Sequence, residues 1–173
     1  MFIQPPLKFS GSTILCIGDV MLDYFVYGQV ERISPESPIP VLRQQHQFSM
    51  LGGAGNVMRN IIALGGQVIF ISVIGDDSTG RTLQSQLKSL AGVQSKIFTE
   101  VNRQTVQKTR FIAQGQQLLR VDEEVVLPCT VDSQEKILAA TRQSLPHCQA
   151  VILSDYRKGL FTESLSQVLI EQM

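Results

Sequence analysis

Apolar strands, glycine turns and helical repeats alternate along the first half of this chain, and this alternation restricts the fold more than any other feature. Residues 13–17 (TILCI) are apolar throughout and run into a Gly-Asp pair, as a buried strand does where it meets a loop. A glycine-rich turn at 51–56 precedes apolar residues at helical spacing, residues 67–74 (QVIFISVI) read as a strand, and 79–90 carry a helical stripe. This order predicts an α/β fold with a parallel sheet.

The other segments of the chain follow different patterns. Residues 24–33 and 39–45 are rich in β-formers but are interrupted by prolines, which favours edge strands or a flap. Residues 105–113 and 117–121 flank a Gln-Gly-Gln loop and predict a β-hairpin. A helix over 133–145, a buried strand over 150–153 and a last helix with Thr162 as its N-cap complete the predicted elements.

Composition excludes several classes of function. The 173 residues carry 15 Lys plus Arg and 15 Asp plus Glu, and this zero net charge gives no basic footprint for nucleic acid or an acidic membrane. We find no apolar run near the roughly 20 residues of a membrane span, and residues 1–10 do not have the pattern of a signal peptide. The three cysteines are widely spaced and suggest neither a disulfide framework nor a zinc site, so we expect a cytoplasmic protein.

Two loops that follow predicted strands carry carboxylates. The first is GDVMLD, in which Asp19 and Asp23 could accept hydrogen bonds from vicinal sugar hydroxyls, or could cap a turn and lie in solvent. The other is SDYRKG, in which Asp155 lies beside two cations. That segment could serve a phosphorylated substrate or form a surface ion pair of little energetic value. The residues alone leave both alternatives open.

Two further features have the same ambiguity. The glycines of 52–55, followed by Asn56 at a helix start, could bring backbone N–H groups close to a ligand or could form an ordinary turn; the spacing is neither that of a P-loop nor that of a dinucleotide fingerprint. Lys108 and Arg110 lie two apart on a predicted strand and therefore share a face. They could hold a substrate phosphate, or they could belong to a solvated strand face.

Five segments taken in order resemble one known family. They are GDVMLD, RISPESPIPV, GGAGNV, QQLLRVDEE and LSDYRKG. In this order and spacing the chain resembles the ribokinase-like (PfkB) carbohydrate kinases from about Ser12 to its last residue. The RISPE and LSDY segments are most similar to those of the D-glycero-β-D-manno-heptose-7-phosphate kinases, which act in the synthesis of lipopolysaccharide core precursors. The resemblance implies a Rossmann-like parallel sheet flanked by helices, with a β-strand lid, and an ATP- and Mg-dependent kinase.

The resemblance also implies a division of the chain and a sugar site. Residues 1–173 would be the N-terminal portion of one carbohydrate-kinase domain, with its core at about 12–23, 50–100 and 130–173 and its lid at about 24–48 and 104–122. Asp23 would accept hydrogen bonds from the sugar hydroxyls. Gly52, Gly53 and Asn56 would form the substrate-binding turn. Gly55 stands where the heptose enzymes usually have Ala, which is a minor departure.

Further roles follow from the same resemblance. Lys108, Arg110 and Asp155 fall where the heptose enzymes contact or frame the phosphosugar. Arg32 would reach the site of a partner subunit, because the lid of this family often mediates a homodimer.

The second half of the family's domain is not found in these residues. Its Asp-Thr-x-Gly-Ala-Gly-Asp motif, whose last Asp deprotonates the sugar hydroxyl, is expected beyond residue 173 together with most of the nucleotide site. We therefore expect a truncated kinase that is inactive alone, which a separate C-terminal chain could complement. Three alternatives stay open: a non-catalytic phosphosugar-binding module, one half of a split kinase, or a kinase for another sugar.

Overall fold

The computed structural model describes residues 9–173, so the prediction made for the first ten residues lies almost wholly outside it. The elements follow one another as β1 (Thr13–Gly18), β2 (Val20–Ile33), β3 (Pro40–Gly53), α1 (Ala54–Ala63), β4 (Gln67–Gly75), α2 (Ser78–Lys88), β5 (Val93–Glu100), β6 (Gln107–Ala113), β7 (Gln116–Glu123), α3 (Val131–Ser144), β8 (Ala150–Ser154) and α4 (Glu163–Glu171). A 3₁₀ turn, Leu145–His147, joins α3 to the loop before β8.

The first sheet is parallel and has the order β5-β4-β1-β8. Its central strands β1 and β4 are buried over almost their whole length, because helices cover both faces. Alternate residues of β1 point to opposite cores: Cys16 packs with Phe70 in a cluster that includes α1 and α2, and Leu15 packs with Ile71 in a cluster that includes α3 and α4. The predicted parallel α/β sheet is confirmed.

The second sheet has the order β3-β2-β6-β7 and combines both strand directions. Its long hairpin pairs β2 with β3, β6 runs parallel to β2, and β6 and β7 form the predicted hairpin. The turn of that hairpin uses positive φ at Gln114 and Gly115, the backbone form whose twist matches the two flanking strands. A single residue, Asp19, separates the end of β1 from the start of β2, so the two sheets meet there.

One prediction about an element needs correction, and one strand was missed. The glycine-rich segment is not a separate turn, because residues 51–53 pair with β2 and the helix begins directly at Ala54. Gly53 makes this strand-to-helix change with a φ of 58°, where a side chain would be strained. Strand β5 was not predicted: its sequence, VQSKIFTE, mixes polar and apolar residues without clear alternation, as an edge strand can.

Helix starts follow the expected capping chemistry. Thr162 accepts a hydrogen bond from the Leu165 N–H at 3.2 Å, which confirms it as the N-cap of α4. Within residues 9–173, none of the helices combines the length and the apolar character that a membrane crossing requires.

Candidate functional site

Three segments meet at the carboxyl end of the first sheet, where parallel α/β proteins bind ligands. The Asp19 N–H donates to the Ser154 carbonyl at 3.1 Å, which joins the end of β1 to the end of β8. The Asp19 carbonyl accepts from the Ala54 N–H at 2.9 Å, which joins both to the first residue of α1. The candidate site is built around this junction.

Asp19 organises the loop after β8 and does not face a ligand. Asp19 is 4% exposed. One carboxylate oxygen accepts from the N–H groups of Tyr156 and Lys158 at 2.9 and 3.1 Å, and the other accepts from the Leu160 N–H at 3.1 Å. Both oxygens therefore have partners inside the protein. The turn-capping alternative therefore holds for Asp19. The sugar-binding alternative stays open for Asp23 alone of these two residues.

A buried ion pair holds the same loop from another direction. Arg103 and Glu100, with side chains 7% and 8% exposed, lie 2.7 Å apart. Arg103 also donates to the carbonyls of Lys158 and Leu127 at 3.1 and 2.8 Å, and so it connects the end of β5 to two loops. Burial acts to raise the pKa of Glu100, but hydrogen bonds from Ser133, Thr130 and Arg103 together lower it. Sequence patterns gave no signal for this pair.

Asp23 lies on β2 beside Gly52 of β3 and pairs with the guanidinium of Arg110 on β6. Its side chain is 17% exposed, and its second oxygen accepts no hydrogen bond from the residues between 9 and 173. A β-carbon at position 52 would overlap this second oxygen. Gly52 is thus required sterically by the position of Asp23, and the spare oxygen remains available as an acceptor.

Lys108 belongs to a cluster of charges that the sequence prediction described only in part. Its ammonium lies 2.8 Å from Asp122 and 3.4 Å from Glu124. Glu124 lies 2.7 Å from the ammonium of Lys158, on the loop after β8. The hydrogen bond from Lys158, with the charge of Lys108, lowers the pKa of Glu124.

These side chains do not form a solvated strand face. Lys108 is 13% exposed, and Arg110 is 22% exposed and lies over the ring of Phe25, 5.3 Å from its centroid. Asp122 and Glu124 both lie in the QQLLRVDEE segment, yet the sequence analysis gave them no role. Nothing in that pattern indicated which of its carboxylates would turn toward Lys108.

The remaining predicted residues lie around this group or away from it. Asn56 is exposed in the first turn of α1, and Gly53 forms the N-cap of that helix. Asp155 is also exposed, and it accepts from the Arg157 N–H at 2.7 Å in place of an ion pair within its segment. Arg32 is exposed nine residues after Asp23 on β2, roughly 30 Å along the strand. It therefore does not contribute to the site of its own chain.

Aromatic side chains continue the Asp23 face of the second sheet toward its far end. Phe25 stacks on Phe48 at 5.0 Å between ring centroids, and Tyr27 stacks on His46 at 4.8 Å. Phe48 is 46% exposed. His46 thus takes part in a stacked row of rings.

Clustered metal ligands are not evident in the described part of the chain. Within residues 9–173 we find no group of three or more His, Cys, Asp or Glu side chains that could hold a metal ion. The described residues therefore offer no cluster of three such side chains for the Mg that the resemblance implies.

Comparison of the sequence with known proteins identifies one family and several similar proteins. The sequence profile of the pfkB family carbohydrate kinases matches residues 12–165. The bifunctional protein HldE of Paramagnetospirillum magneticum is 46% identical over 165 residues, covering 95% of this chain and 34% of that protein. HldE of Rhodospirillum rubrum is 47% identical over 157 residues, covering 91% and 32%. The chain spans about a third of the length of these curated relatives.

Solved structures share the fold at low sequence identity. The ribokinase of Giardia lamblia superposes with a TM-score of 0.61 and 16% identity, covering 93% of this chain and 49% of that one. A carbohydrate kinase from Agrobacterium tumefaciens gives 0.56 and 21%, covering 82% and 53%.

Proposed function

Because this chain belongs to the pfkB family of carbohydrate kinases, we propose that it forms the sugar-binding part of an ATP-dependent kinase for a phosphorylated heptose. The proposed reaction phosphorylates D-glycero-β-D-manno-heptose 7-phosphate at O1, in the synthesis of lipopolysaccharide core precursors. The identity to HldE proteins and the resemblance of the RISPE and LSDY segments support this substrate.

The observation that carries the proposal is the arrangement of Asp23, Gly52 and Arg110. Asp23 has one oxygen paired with Arg110 and one spare acceptor, and the absent side chain of Gly52 leaves room beside it. A carboxylate held in this way can accept hydrogen bonds from two neighbouring sugar hydroxyls. Asn56, at the start of α1, would add an amide to the same substrate, with Gly53 shaping the turn.

A phosphate group on the substrate fits the cations next to Asp23. Lys108 lies opposite Asp23 in the register of β2 and β6, and Arg110 lies on the same face. Lys158 and the exposed Asp155 border this group from the loop after β8. An arginine fork and lysine ammonium groups are the usual protein ligands for phosphate.

The wider parts of the proposal follow from the family. The second sheet would act as a lid over the sugar. ATP with Mg would be bound largely by residues outside this chain, and the catalytic Asp would also be supplied by those residues. Phosphoryl transfer is thus proposed for an assembly that includes the remaining two thirds of an HldE-like protein, whether fused or separate. A cytoplasmic location, where ATP is available, is part of the same proposal.

A homodimer through the second sheet is also proposed. The ring of Phe48, which stacks on Phe25 at one face of this sheet, is 46% exposed. Exposed apolar groups on one sheet favour association with a partner surface. Sedimentation should give twice the chain mass for the wild type, and Phe48→Ser should shift it toward the monomer. A monomeric wild type would contradict the dimer.

The test of the function is a thermal melt with and without heptose 7-phosphate. A ligand that binds the native state raises the melting temperature. We expect an upward shift with heptose 7-phosphate, a smaller shift with the unphosphorylated heptose, and no shift in Asp23→Asn. Asp132→Asn is the matched control, because Asp132 is exposed and pairs with Lys136 of its own helix. Equal shifts in both variants, or none in the wild type, would contradict the proposal.

The same protein separates two of the alternatives. A shift without ADP formation in the presence of ATP would agree with a sugar-binding part that needs a second component. Recovery of ADP formation on adding the C-terminal part of an HldE protein would favour a kinase over a dedicated binding module.

A further inference from the structure

Two lysines of the proposed phosphate site share one carboxylate. Glu124 lies 2.7 Å from the ammonium of Lys158 and 3.4 Å from that of Lys108. Lys158 belongs to the loop after β8, and Lys108 belongs to β6 of the second sheet. Glu124 therefore bridges the two sheets at the place where the proposed function needs cations to be available.

The cations at this place already have carboxylate partners without any ligand. Asp23 pairs with Arg110, and Glu124 and Asp122 contact Lys108 and Lys158. A phosphate dianion that approached the two lysines would also meet the two carboxylates that contact them. Phosphate binding would gain little electrostatic free energy unless one carboxylate moved away.

Glu124 is the carboxylate that is best able to leave. It is the first residue after β7, outside the paired strands, so its movement breaks no backbone hydrogen bond of the ladder. Asp122 lies within β7 and has a second cation, because Arg120 contacts it at 2.8 Å. Asp23 is fixed within β2.

The two lysines, in contrast, are held in position. The backbone of Lys158 is fixed from two directions, since its N–H donates to Asp19 and its carbonyl accepts from Arg103. Lys108 is fixed by the pairing of β6 with strands on both sides. If Glu124 moved, the two ammonium groups would stay close enough to share another anion.

We propose, building on the function proposed above, that Glu124 occupies the position of the substrate phosphate and that phosphate binds by replacing it between Lys108 and Lys158. The exchange leaves both lysines in contact with an anion and keeps the two sheets connected, now through the ligand. A neutral sugar cannot replace Glu124, because it supplies no charge to either lysine. Glu124 is thus a specificity-determining residue that disfavours unphosphorylated sugars.

The test measures binding of inorganic phosphate to the whole chain by calorimetry. Glu124→Gln should bind phosphate about fivefold more tightly than the wild type, the size of one charge interaction near 4 Å in a water-like environment. Glu123→Gln is the matched control: it removes the same charge one residue away, where Glu123 accepts from Gln107 and contacts no lysine of the cluster. It should leave the phosphate affinity within twofold of the wild type, about 0.4 kcal/mol.

The outcomes separate this inference from the proposed function. Weaker or unchanged phosphate binding by Glu124→Gln, or no binding by either protein, overturns the exchange even if heptose 7-phosphate still binds to the wild type. Tighter phosphate binding without any binding of heptose 7-phosphate supports the exchange and contradicts the substrate. If Glu124→Gln does not fold, Glu124→Asp takes its place. Its side chain is one methylene shorter, so its carboxylate lies farther from the two lysines. Phosphate should therefore again bind more tightly than to the wild type.

Discussion

Asp19 and Asp23 belong to one short motif and have opposite roles. Asp19 is buried and accepts three backbone N–H groups, whereas Asp23 keeps one oxygen without a partner among residues 9–173. The difference arises because Asp19 lies at the junction of the two sheets and Asp23 lies on a face of the second one. Spacing in the sequence could not separate them, since the partners of Asp19 lie more than 130 residues away.

At this scale we predict the effect of Gly52→Ala. The new methyl group would overlap the spare oxygen of Asp23 and push that side chain away. We expect the shift in melting temperature caused by heptose 7-phosphate to disappear, while the free energy of unfolding falls by about 1–3 kcal/mol. The measurement is a pair of melts, with and without ligand, at the same protein concentration.

Gly115→Ala serves as the control for this substitution. Its φ of 79° makes alanine unfavourable, by about 1 kcal/mol, but a β-carbon there would meet no atom within 4 Å. It should lower stability and keep the ligand shift. A Gly52→Ala protein that retains the full ligand shift would show that the position of Asp23 does not depend on Gly52.

The loop after β8 shows how an irregular element can be held as firmly as a strand. Asp19 binds three of its N–H groups, and Arg103 binds the Lys158 carbonyl. Both charged groups are buried, where hydrogen bonds to charged groups are worth more than at the surface. The loop therefore presents Asp155 and Lys158 from a fixed backbone.

The prediction for this element concerns Asp19→Asn. The amide nitrogen cannot accept, so at least one backbone N–H of the loop loses its partner. We expect the free energy of unfolding to fall by about 1–3 kcal/mol in urea denaturation. Asp155→Asn makes the same chemical change on an exposed carboxylate of this loop and should cost less than about 0.5 kcal/mol. Equal costs for both variants would contradict the organising role of Asp19.

At the scale of the whole molecule, buried and half-buried charges connect parts that are distant in sequence. Glu100 accepts from the Thr130 N–H at 2.8 Å and pairs with Arg103, so the end of β5 is tied to the start of α3. Lys158 and Glu124 tie the loop after β8 to the second sheet. The two sheets thus have polar connections in addition to the shared segment at Asp19.

The corresponding prediction is a pH dependence of stability. The folded-state pKa of Glu100 lies below its ordinary value of 4.5, so the unfolded chain binds more protons between these two values. Stability therefore rises with pH through this window and is lost as pH falls through the folded value. Glu100→Gln should be less stable at neutral pH and should show a shallower decline below pH 4.5 than the wild type.

Chemical denaturation at several pH values between neutrality and the acid limit of folding measures this effect. Glu135→Gln, on an exposed position of α3, controls for the loss of one negative charge. If Glu100→Gln followed the wild-type curve in parallel over the acid range, the linkage to Glu100 would be disproved.

The sequence by itself determined the class of fold and most of its elements. Local periodicity and turn residues specify whether a segment is helix or strand, and the order of elements then predicted the parallel sheet, which is confirmed. The edge strand β5 was not predicted, because its pairing with β4, and not its own residue pattern, makes it a strand. The predicted site residues stay predictions, although Asp23, Gly52 and Arg110 do lie in contact.

Only the tertiary structure decided which charged groups are structural and which remain available. Asp19, Arg103 and Glu124 have partners between about 20 and 140 residues away, and no local pattern encodes such pairs. The physical reason is that the role of a charge depends on burial and on the groups around it, which are set by packing. Segment order could therefore predict which segments meet at the end of the sheet, but the partners of each side chain required the folded chain.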